Sequence, residues 1–288
     1  MRLTLPTHPT RGFAHWNGTL HKMLAASGLF DVAYSDDLPR PPRGLVGPRT
    51  ENMSVVDLDG KLVAIDTWDD AQPTHALYGA GEWSEGGSLE FVDLLLKIQW
   101  QAGPFWDTFT AETGVPVSPW TIFPSREWEL GGFRYNLHDD HQYVGLISGA
   151  MRSGRGEYFD AARAADDFYV PDEQTKERDW ERFWAAARSC RWGISLKGKR
   201  GTDGKNRREI EYASCGVPLA MNYCPSYPWH MEPGRHFVLL ESAADMLALR
   251  LIDPAPYAAA ADEIYREYWS PPGMARLFAG LVEEYCHG

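Results

Sequence analysis

The chain of 288 residues has few cysteines and no long apolar run, and each of these shortages excludes a class of protein. Its 4 cysteines include no C-x-x-C pair, which argues against a disulfide framework and predicts free thiols. No segment approaches the ~18 consecutive apolar residues of a membrane span. The first residues lack the apolar core of a signal peptide, so we expect a cytoplasmic protein.

Basic residues are also in deficit. The 28 Lys and Arg residues against 40 Asp and Glu residues give a formal net charge of −12 at pH 7. A protein with this balance has no general attraction to nucleic acid or to an anionic membrane surface. DNA is therefore a disfavoured partner, although a local basic patch is compatible with the negative total.

A Gly-x-Gly-x-x-Gly turn is absent as well, although the chain opens with a strand, helix and strand pattern. We predict strands over residues 3–6 and 31–35 and a helix over 18–26. The absence of the glycine-rich turn argues against a dinucleotide-dependent dehydrogenase.

Two further patterns follow in the first half. The dipeptide Asp59-Gly60, between alternating segments at 54–58 and 62–67, predicts a β-hairpin. Residues 89–100 place apolar side chains at helical spacing, which predicts a helix packed on the sheet.

The second half alternates strands with helices. Strands are predicted at residues 143–147, 167–170, 192–196, 218–221 and 236–240. Helices are predicted at 157–165, 174–187, 207–214, 243–251, 257–269 and 271–285. This alternation predicts a parallel sheet covered on both faces. A polar run at 131–142 predicts a linker between an α/β domain at 1–135 and a second at 136–288.

A basic loop follows the strand predicted at 192–196. Its cations fall within twelve residues and are Lys197, Lys199, Arg200, Lys205, Arg207 and Arg208. In open α/β sheets, ligands bind outside the carboxyl ends of strands. The loop is therefore predicted to hold an anionic ligand such as a diphosphate, which needs several cations.

Three segments carry a resemblance to a known family: G-I-S-L-K-G-K (193–199), N-R-R-E-I-E-Y-A-S-C-G-V-P-L (206–219) and P-G-R-H-F-V-L-L (233–240). They resemble the nucleotide-sugar site of GT-B glycosyltransferases, above all glycosyltransferase group 1 and the spore-maturation, CgeB-like transferases. The resemblance lies mainly in the second half of the chain. It implies two Rossmann-like domains facing across a cleft, with the C-terminal helices crossing back to the first domain.

The resemblance also implies roles for particular residues. Glu211, followed by Gly216 and a proline, stands where the family holds the ribose of the donor. Asp203, eight positions before Glu211, stands where many retaining members carry a glutamate, so this position departs from the pattern. The donor diphosphate would face the cationic loop and a basic residue of the turn after residue 147, which is Arg152 or Arg155.

His15 lies in a segment that resembles the loop in which some inverting GT-B transferases place a catalytic histidine. An imidazole that titrates near neutrality can take a proton from an acceptor hydroxyl. A carboxylate behind it would set its tautomer, and Asp66, Asp69 and Asp70 are the candidates. Retention, indicated by Asp203 and Glu211, and inversion, indicated by His15, both stay open.

Each of these features has a simpler interpretation. Arg207 and Arg208 are spaced to form ordinary surface ion pairs with Glu211. The arginines of the turn can be solvated surface residues, and His15 can be hydrogen-bonded in a loop. His138 to His141, and the trio His230, Glu232 and His236, lack zinc spacing and are interpreted as linker and loop, so no metal site is predicted.

The sequence therefore predicts a metal-independent glycosyltransferase that moves a sugar from a nucleotide-sugar donor, with UDP as the expected nucleotide, to a hydroxyl acceptor. No permanently bound cofactor is expected. The acceptor can be a glycan, a small molecule, a protein or a modified nucleobase. Two alternatives are a DNA-modifying glycosyltransferase acting on a hydroxylated base such as 5-hydroxymethylcytosine, and a non-catalytic nucleotide-binding module.

Overall fold

The computed structural model describes residues 1–7, 14–39, 53–66, 92–97, 104–120, 136, 140–147, 155–171, 180–197, 207–223 and 231–286. The chain divides into two compact units. The first contains the described residues up to 120 together with 267–286, and the second contains those from 136 to 266. Most of the predicted linker at 131–142 lies outside the described residues.

The described helices are α1 (Ala14–Ala26), α2 (Pro104–Thr113), α3 (Gly156–Ala164), α4 (Trp180–Arg188), α5 (Arg207–Ser214), α6 (Ala243–Ala248), α7 (Ala255–Ile264) and α8 (Pro271–Cys286). A 3₁₀ turn follows α6 and a π-helical turn follows α7. None of the helices in the described part of the chain combines the length and the apolar character needed to span a membrane.

In the described residues, the first unit is built on a six-stranded sheet. Its strands are β1 (Arg2–Pro6), β2 (Asp31–Ser35), β3 (Met53–Leu58), β4 (Lys61–Asp66), β5 (Leu94–Lys97) and β6 (Val117–Pro119), in the order β2-β1-β3-β4-β5-β6. β3 is antiparallel to both of its neighbours, and the other adjacent strands are parallel. The carboxyl ends of all strands except β3 therefore lie at one edge of this sheet.

The predicted hairpin is confirmed, and the predicted helix over 89–100 is wrong. Asp59 and Gly60 join β3 to β4 with positive φ angles of 52° and 87°, as a tight turn matched to the twist of the strands requires. Leu94, Leu95 and Leu96 lie in β5, between β4 and β6, and are fully buried. A short apolar run covered on both faces of a sheet needs no alternation, which is why helical spacing misled the prediction.

The C-terminal helix returns to the first unit, as predicted. α8 packs on α1 and on β4 and β5. Phe278 of α8 makes edge-to-face contacts with Phe30 at 6.3 Å and with Trp120 at 6.0 Å between ring centroids. The preceding helix, α7, belongs to the second unit, so only the last of the two closing helices makes this return.

The described part of the second unit contains a five-stranded parallel sheet. Its strands are β7 (Tyr143–Ile147), β8 (Phe168–Tyr169), β9 (Cys190–Ser195), β10 (Leu219–Met221) and β11 (Phe237–Leu239), in the order β11-β10-β9-β7-β8. Trp192 and Ile194 of β9 pack in a core with Phe159 of α3, whereas Gly193 faces Tyr212 of α5. The predicted parallel sheet with both faces covered is confirmed.

The order of the strands shows where the chain reverses the direction in which it adds strands to this sheet. From β7 the chain passes to β8 on one side and then to β9 on the other, so the order reverses between β7 and β9. In doubly wound sheets, ligands bind at this reversal, outside the carboxyl ends of the strands. In this unit those ends are Ile147 and Ser195.

Candidate functional site

A glycine brings α5 close to the end of β9. A Cβ atom at Gly193 would lie 2.5 to 2.7 Å from three ring atoms of Tyr212, so the ring occupies the space of the missing side chain. The hydroxyl of Tyr212 also donates to the carbonyl oxygen of Leu146 at 3.4 Å. Gly193 therefore sets the distance between α5 and the centre of the sheet.

Gly216 ends the same helix. It has a φ of 76°, its N–H donates to the carbonyl of Ala213 at 3.0 Å, and the N–H of Val217 donates to that of Tyr212 at 3.0 Å. These are the two hydrogen bonds of a Schellman cap. An eight-residue helix is ~12 Å long, so Gly216 lies one helix length from the amino end of α5. That amino end faces the carboxyl edge of the sheet.

Glu209, in the first turn of α5, ties the ends of two strands together. Its side chain is fully buried. Ser195, the last residue of β9, donates from its Oγ to Glu209 Oε1 at 3.0 Å. The hydroxyl of Tyr223, two residues beyond β10, donates to the same oxygen. These three residues were not predicted from the sequence, although Ser195 lies one residue before the end of a predicted strand and Tyr223 lies two residues beyond another.

Lys197 is held over the same edge by two contacts. Its backbone N–H donates to Oδ1 of Asn222 at 2.7 Å. Its ammonium lies 5.1 Å from the centre of the Tyr223 ring. An ammonium over an aromatic face keeps its full charge, because the ring attracts it without neutralising it. The predicted ligand-binding residue Lys197 is thus positioned between the ends of β9 and β10.

Arg208 and Glu211 form the ion pair that the simpler interpretation predicts, but this pair is not on a solvated surface. Arg208 Nη1 donates to Glu211 Oε2 at 2.5 Å, and the Glu211 side chain is fully buried. The guanidinium of Arg208 lies 4.6 Å from the centre of the Phe183 ring of α4. Glu211 is therefore a buried carboxylate in a fixed orientation, on the helix that leads away from the basic loop.

The other predicted residues of the donor site are described only in part. Arg155 is half-buried at the N-cap position of α3, where its carbonyl accepts from the N–H of Tyr158 at 3.1 Å. Arg152, Arg200 and Asp203 lie outside the described residues. Arg207 begins α5, but its side chain is outside the described part of the chain.

The carboxyl edge of the first sheet holds a buried ion pair. Asp66 and Lys97 are the last residues of β4 and β5 and are register partners. Lys97 Nζ lies 3.2 Å from Asp66 Oδ2, with side-chain exposures of 0% and 4%. Asp66 is one of the three predicted candidates for the partner of His15, and in the structure it forms an ion pair with Lys97. The His15 side chain, near the start of α1, is outside the described part, as are Asp69 and Asp70.

Metal ligands are not grouped in the described part of the chain, where no three His, Cys, Asp or Glu residues could hold an ion together. The N–H of Glu232 donates to Nδ1 of His236 at 2.8 Å, a contact that belongs to a loop. Cys190, Cys215 and Cys286 are present as thiols rather than disulfides. Burial raises the pKa of Cys190 to about 12, so this thiol is not a reactive nucleophile.

Comparison with known proteins gives structural matches alone. No protein-family model and no curated protein matches the chain. It is similar to the pneumococcal O-GlcNAc transferase GtfA in complex with UDP and GlcNAc, at 12% identity over 78% of this chain and 53% of that one, with a TM-score of 0.41. It is also similar to Anabaena HepE in complex with UDP and glucose (14% identity, 67% and 63% covered, TM-score 0.40). A third similar structure is a GtfA/B complex (10% identity, 93% and 60% covered, TM-score 0.46). The chain spans 53% to 63% of the length of these proteins.

Proposed function

We propose that the chain is a glycosyltransferase that uses a nucleotide sugar, with a UDP-sugar as the donor bound at the carboxyl edge of the second sheet. The observation that carries this proposal is the position of Lys197. The residue follows the strand at which the sheet order reverses, and its ammonium is held over that edge. A fixed cation at this point suits an anionic ligand, and the sequence adds five further cations within eleven residues.

The donor would contact three groups of side chains. Glu211 would accept hydrogen bonds from the ribose hydroxyls, with Arg208 holding its carboxylate in place. Lys197, Arg200 and Arg207 would neutralise the diphosphate. Arg152 or Arg155, in the turn after β7, would face the same diphosphate across the reversal point. Gly216 contributes by ending α5, which fixes the orientation of the helix that carries Glu211.

The transfer breaks the bond between the anomeric carbon and the diphosphate and forms a bond from that carbon to an acceptor oxygen. The leaving diphosphate gains negative charge, which prearranged cations stabilise. The proton of the acceptor hydroxyl passes to a base, for which His15 is the candidate in an inverting reaction. Asp203 would face the sugar in a retaining reaction. The anomeric configuration of the product distinguishes the two.

Binding of the nucleotide is the first test. Calorimetric titration of UDP into wild type and Glu211→Gln should show a ten- to hundredfold weaker affinity in the variant, because charge-assisted bonds of roughly 1.5–3 kcal/mol are lost. Glutamine is preferred to alanine because Glu211 is buried, so the alanine variant would lose stability as well. Glu232→Gln, at an exposed carboxylate of the same unit, is the control. Equal affinities in wild type and Glu211→Gln would remove the ribose role.

Turnover is the second test. Release of nucleoside diphosphate is measured with a panel of sugar donors, with and without glycan, small-molecule and protein acceptors and DNA containing 5-hydroxymethylcytosine. We expect release that depends on the acceptor and persists in EDTA, because cationic side chains supply the counter-charge. Binding of UDP without turnover on any acceptor would instead identify a non-catalytic module.

A further inference from the structure

We propose that Tyr223 and Asn222 are positioning residues that fix the ammonium of Lys197 for the diphosphate of the donor. This inference rests on the proposed function, because it explains how one predicted contact of that site is held. Neither residue is charged, and neither needs to touch the donor to act. Their effect would reach the ligand through the place that they give to Lys197.

The contacts divide the task between the two residues. Asn222 accepts the backbone N–H of Lys197 at 2.7 Å, which fixes where the side chain starts. The ring of Tyr223 receives the ammonium at 5.1 Å, which limits where the side chain ends. A lysine side chain has four rotatable bonds before its charge, so both ends must be restrained to place that charge.

The ring of Tyr223 is itself anchored. It is buried, and its hydroxyl donates to the carboxylate of Glu209, which also accepts from Ser195. Glu209 is in the first turn of α5 and is fully buried. The hydrogen bond from its hydroxyl to Glu209 fixes the far end of the side chain, so the ring has a defined orientation. The end of β9, the end of β10 and the start of α5 thus converge on one cation.

A positioning role and a merely structural role predict different results. If Tyr223 acts through Lys197, its substitution weakens the binding of ligands that carry phosphate and does not change the affinity for the bare nucleoside. If Tyr223 only stabilises the fold around Glu209, its loss lowers the melting temperature and affects both ligands alike. The two roles therefore separate on a comparison of UDP with uridine.

The experiment is a double-mutant cycle on the full chain. UDP, uridine and pyrophosphate are titrated into wild type, Lys197→Met, Tyr223→Leu and the double variant, with a melting curve for each. We expect Tyr223→Leu to weaken UDP and pyrophosphate about three- to tenfold, the range of a cation–π contact, and to leave uridine unchanged. In the Lys197→Met background, Tyr223→Leu should have no further effect.

Control variants make the result decisive. Tyr169→Leu removes a half-buried tyrosine from β8 of the same sheet and should leave all three affinities unchanged. Tyr223→Phe keeps the ring but loses the hydroxyl to Glu209, and Asn222→Ala loses the acceptor for Lys197. Both should show a smaller loss for UDP than Tyr223→Leu, and they replace it in the cycle if it does not fold.

Two outcomes would overturn the inference while leaving the proposed function in place. One is that Tyr223→Leu lowers the affinities for UDP and uridine by the same factor. The other is that Tyr223→Leu lowers the UDP affinity by the same factor when Lys197 is already methionine. A wild type that binds neither UDP nor pyrophosphate overturns the proposed function, and the inference with it.

Discussion

Charged residues at the carboxyl edges of the two sheets have opposite kinds of partner. In the first unit, Asp66 and Lys97 lie side by side and are both buried, so each charge is compensated inside the protein. In the second unit, the ammonium of Lys197 lies over the uncharged ring of Tyr223, which does not neutralise its charge. The same position in the fold therefore supports internal cohesion in one unit and a predicted anion site in the other.

The physical consequences differ as well. A buried ion pair has to overcome the desolvation of both charges, and removing one partner leaves the other charged and uncompensated. A cation on an aromatic face is only partly desolvated, and its removal leaves no buried charge behind. Substitutions at the carboxyl edge of the first sheet (the first edge) should therefore change stability. Substitutions at the carboxyl edge of the second sheet (the second edge) should change ligand affinity.

The strongest test of this contrast is Lys97→Met. We expect a loss of about 3–5 kcal/mol in the free energy of unfolding, because the buried carboxylate of Asp66 loses its counter-charge. Chemical denaturation measures it. The control is Lys61→Met, at the start of β4, where the ion pair with Asp93 is about one-third exposed. That substitution should cost ~1 kcal/mol or less.

The double variant Lys97→Met, Asp66→Leu sharpens the result. With both charges replaced by apolar groups, much of the lost stability should return, because no buried charge is left uncompensated. If the double variant is as unstable as the sum of the two single variants, the two side chains do not act as a pair. The first edge would then differ from the second in packing alone.

The residues of the second edge were predicted from the sequence better than those of the first edge. β7 and α5 have the bounds that the sequence predicted, and Lys197 and Glu211 were selected from strand ends and from the resemblance. Lys97 was missed because its apolar neighbours fit helical spacing as well as a buried strand. No pattern in the sequence distinguishes these cases when a short run is covered on both faces.

Glu209 was missed for a different reason. Residues two positions apart on a helix point in different directions, so a helix that buries Glu211 is expected to expose Glu209. Both are fully buried in the structure. Glu209 is buried because the hydroxyls of Ser195 and Tyr223 converge on it from two strands that only the tertiary fold brings together. Local periodicity carries no information on such a convergence.

Acid should weaken the first unit through a second buried group, His21 of α1. Burial lowers the pKa of His21 from 6.5 to about 4. The unfolded chain therefore binds a proton at a higher pH than the folded chain, so stability is full above pH 6.5 and is lost as the pH falls towards 4. The loss at pH 4 is roughly 3 kcal/mol. Denaturation curves at pH 7 and pH 4 measure it.

The matched variant for this test is His21→Leu. At pH 7 it should be at least as stable as wild type, because Nε2 of His21 is buried and has no hydrogen-bond partner among the described residues. Between pH 7 and pH 4 the variant should lose less stability than wild type, by the same roughly 3 kcal/mol. Equal pH dependence in the two proteins would assign the acid sensitivity to other groups.

Gly193→Ala tests whether the second edge depends on the packing behind it. The added Cβ would meet the ring of Tyr212 at 2.5 to 2.7 Å, so α5 or its ring must move. We expect a loss of about 1–3 kcal/mol in stability from overpacking. UDP affinity should also fall, because the displaced helix carries Glu209 and Glu211. Gly156→Ala, with open space around the new Cβ, should change neither quantity.

The smallest expected effect concerns a cation at the opposite edge of the second sheet. Arg250 pairs with Asp167, the residue before β8, at 3.3 Å, and both side chains are well exposed. Arg250→Met should cost ~1 kcal/mol or less, as exposed ion pairs do. UDP affinity should stay at the wild-type value, because Asp167 lies at the amino end of its strand, away from the carboxyl edge. Lys197→Met, measured in the same titration, should weaken UDP about ten- to hundredfold. If the two variants weaken UDP binding equally, affinity follows the total charge of the unit. The carboxyl edge of the second sheet would then not differ from its amino edge.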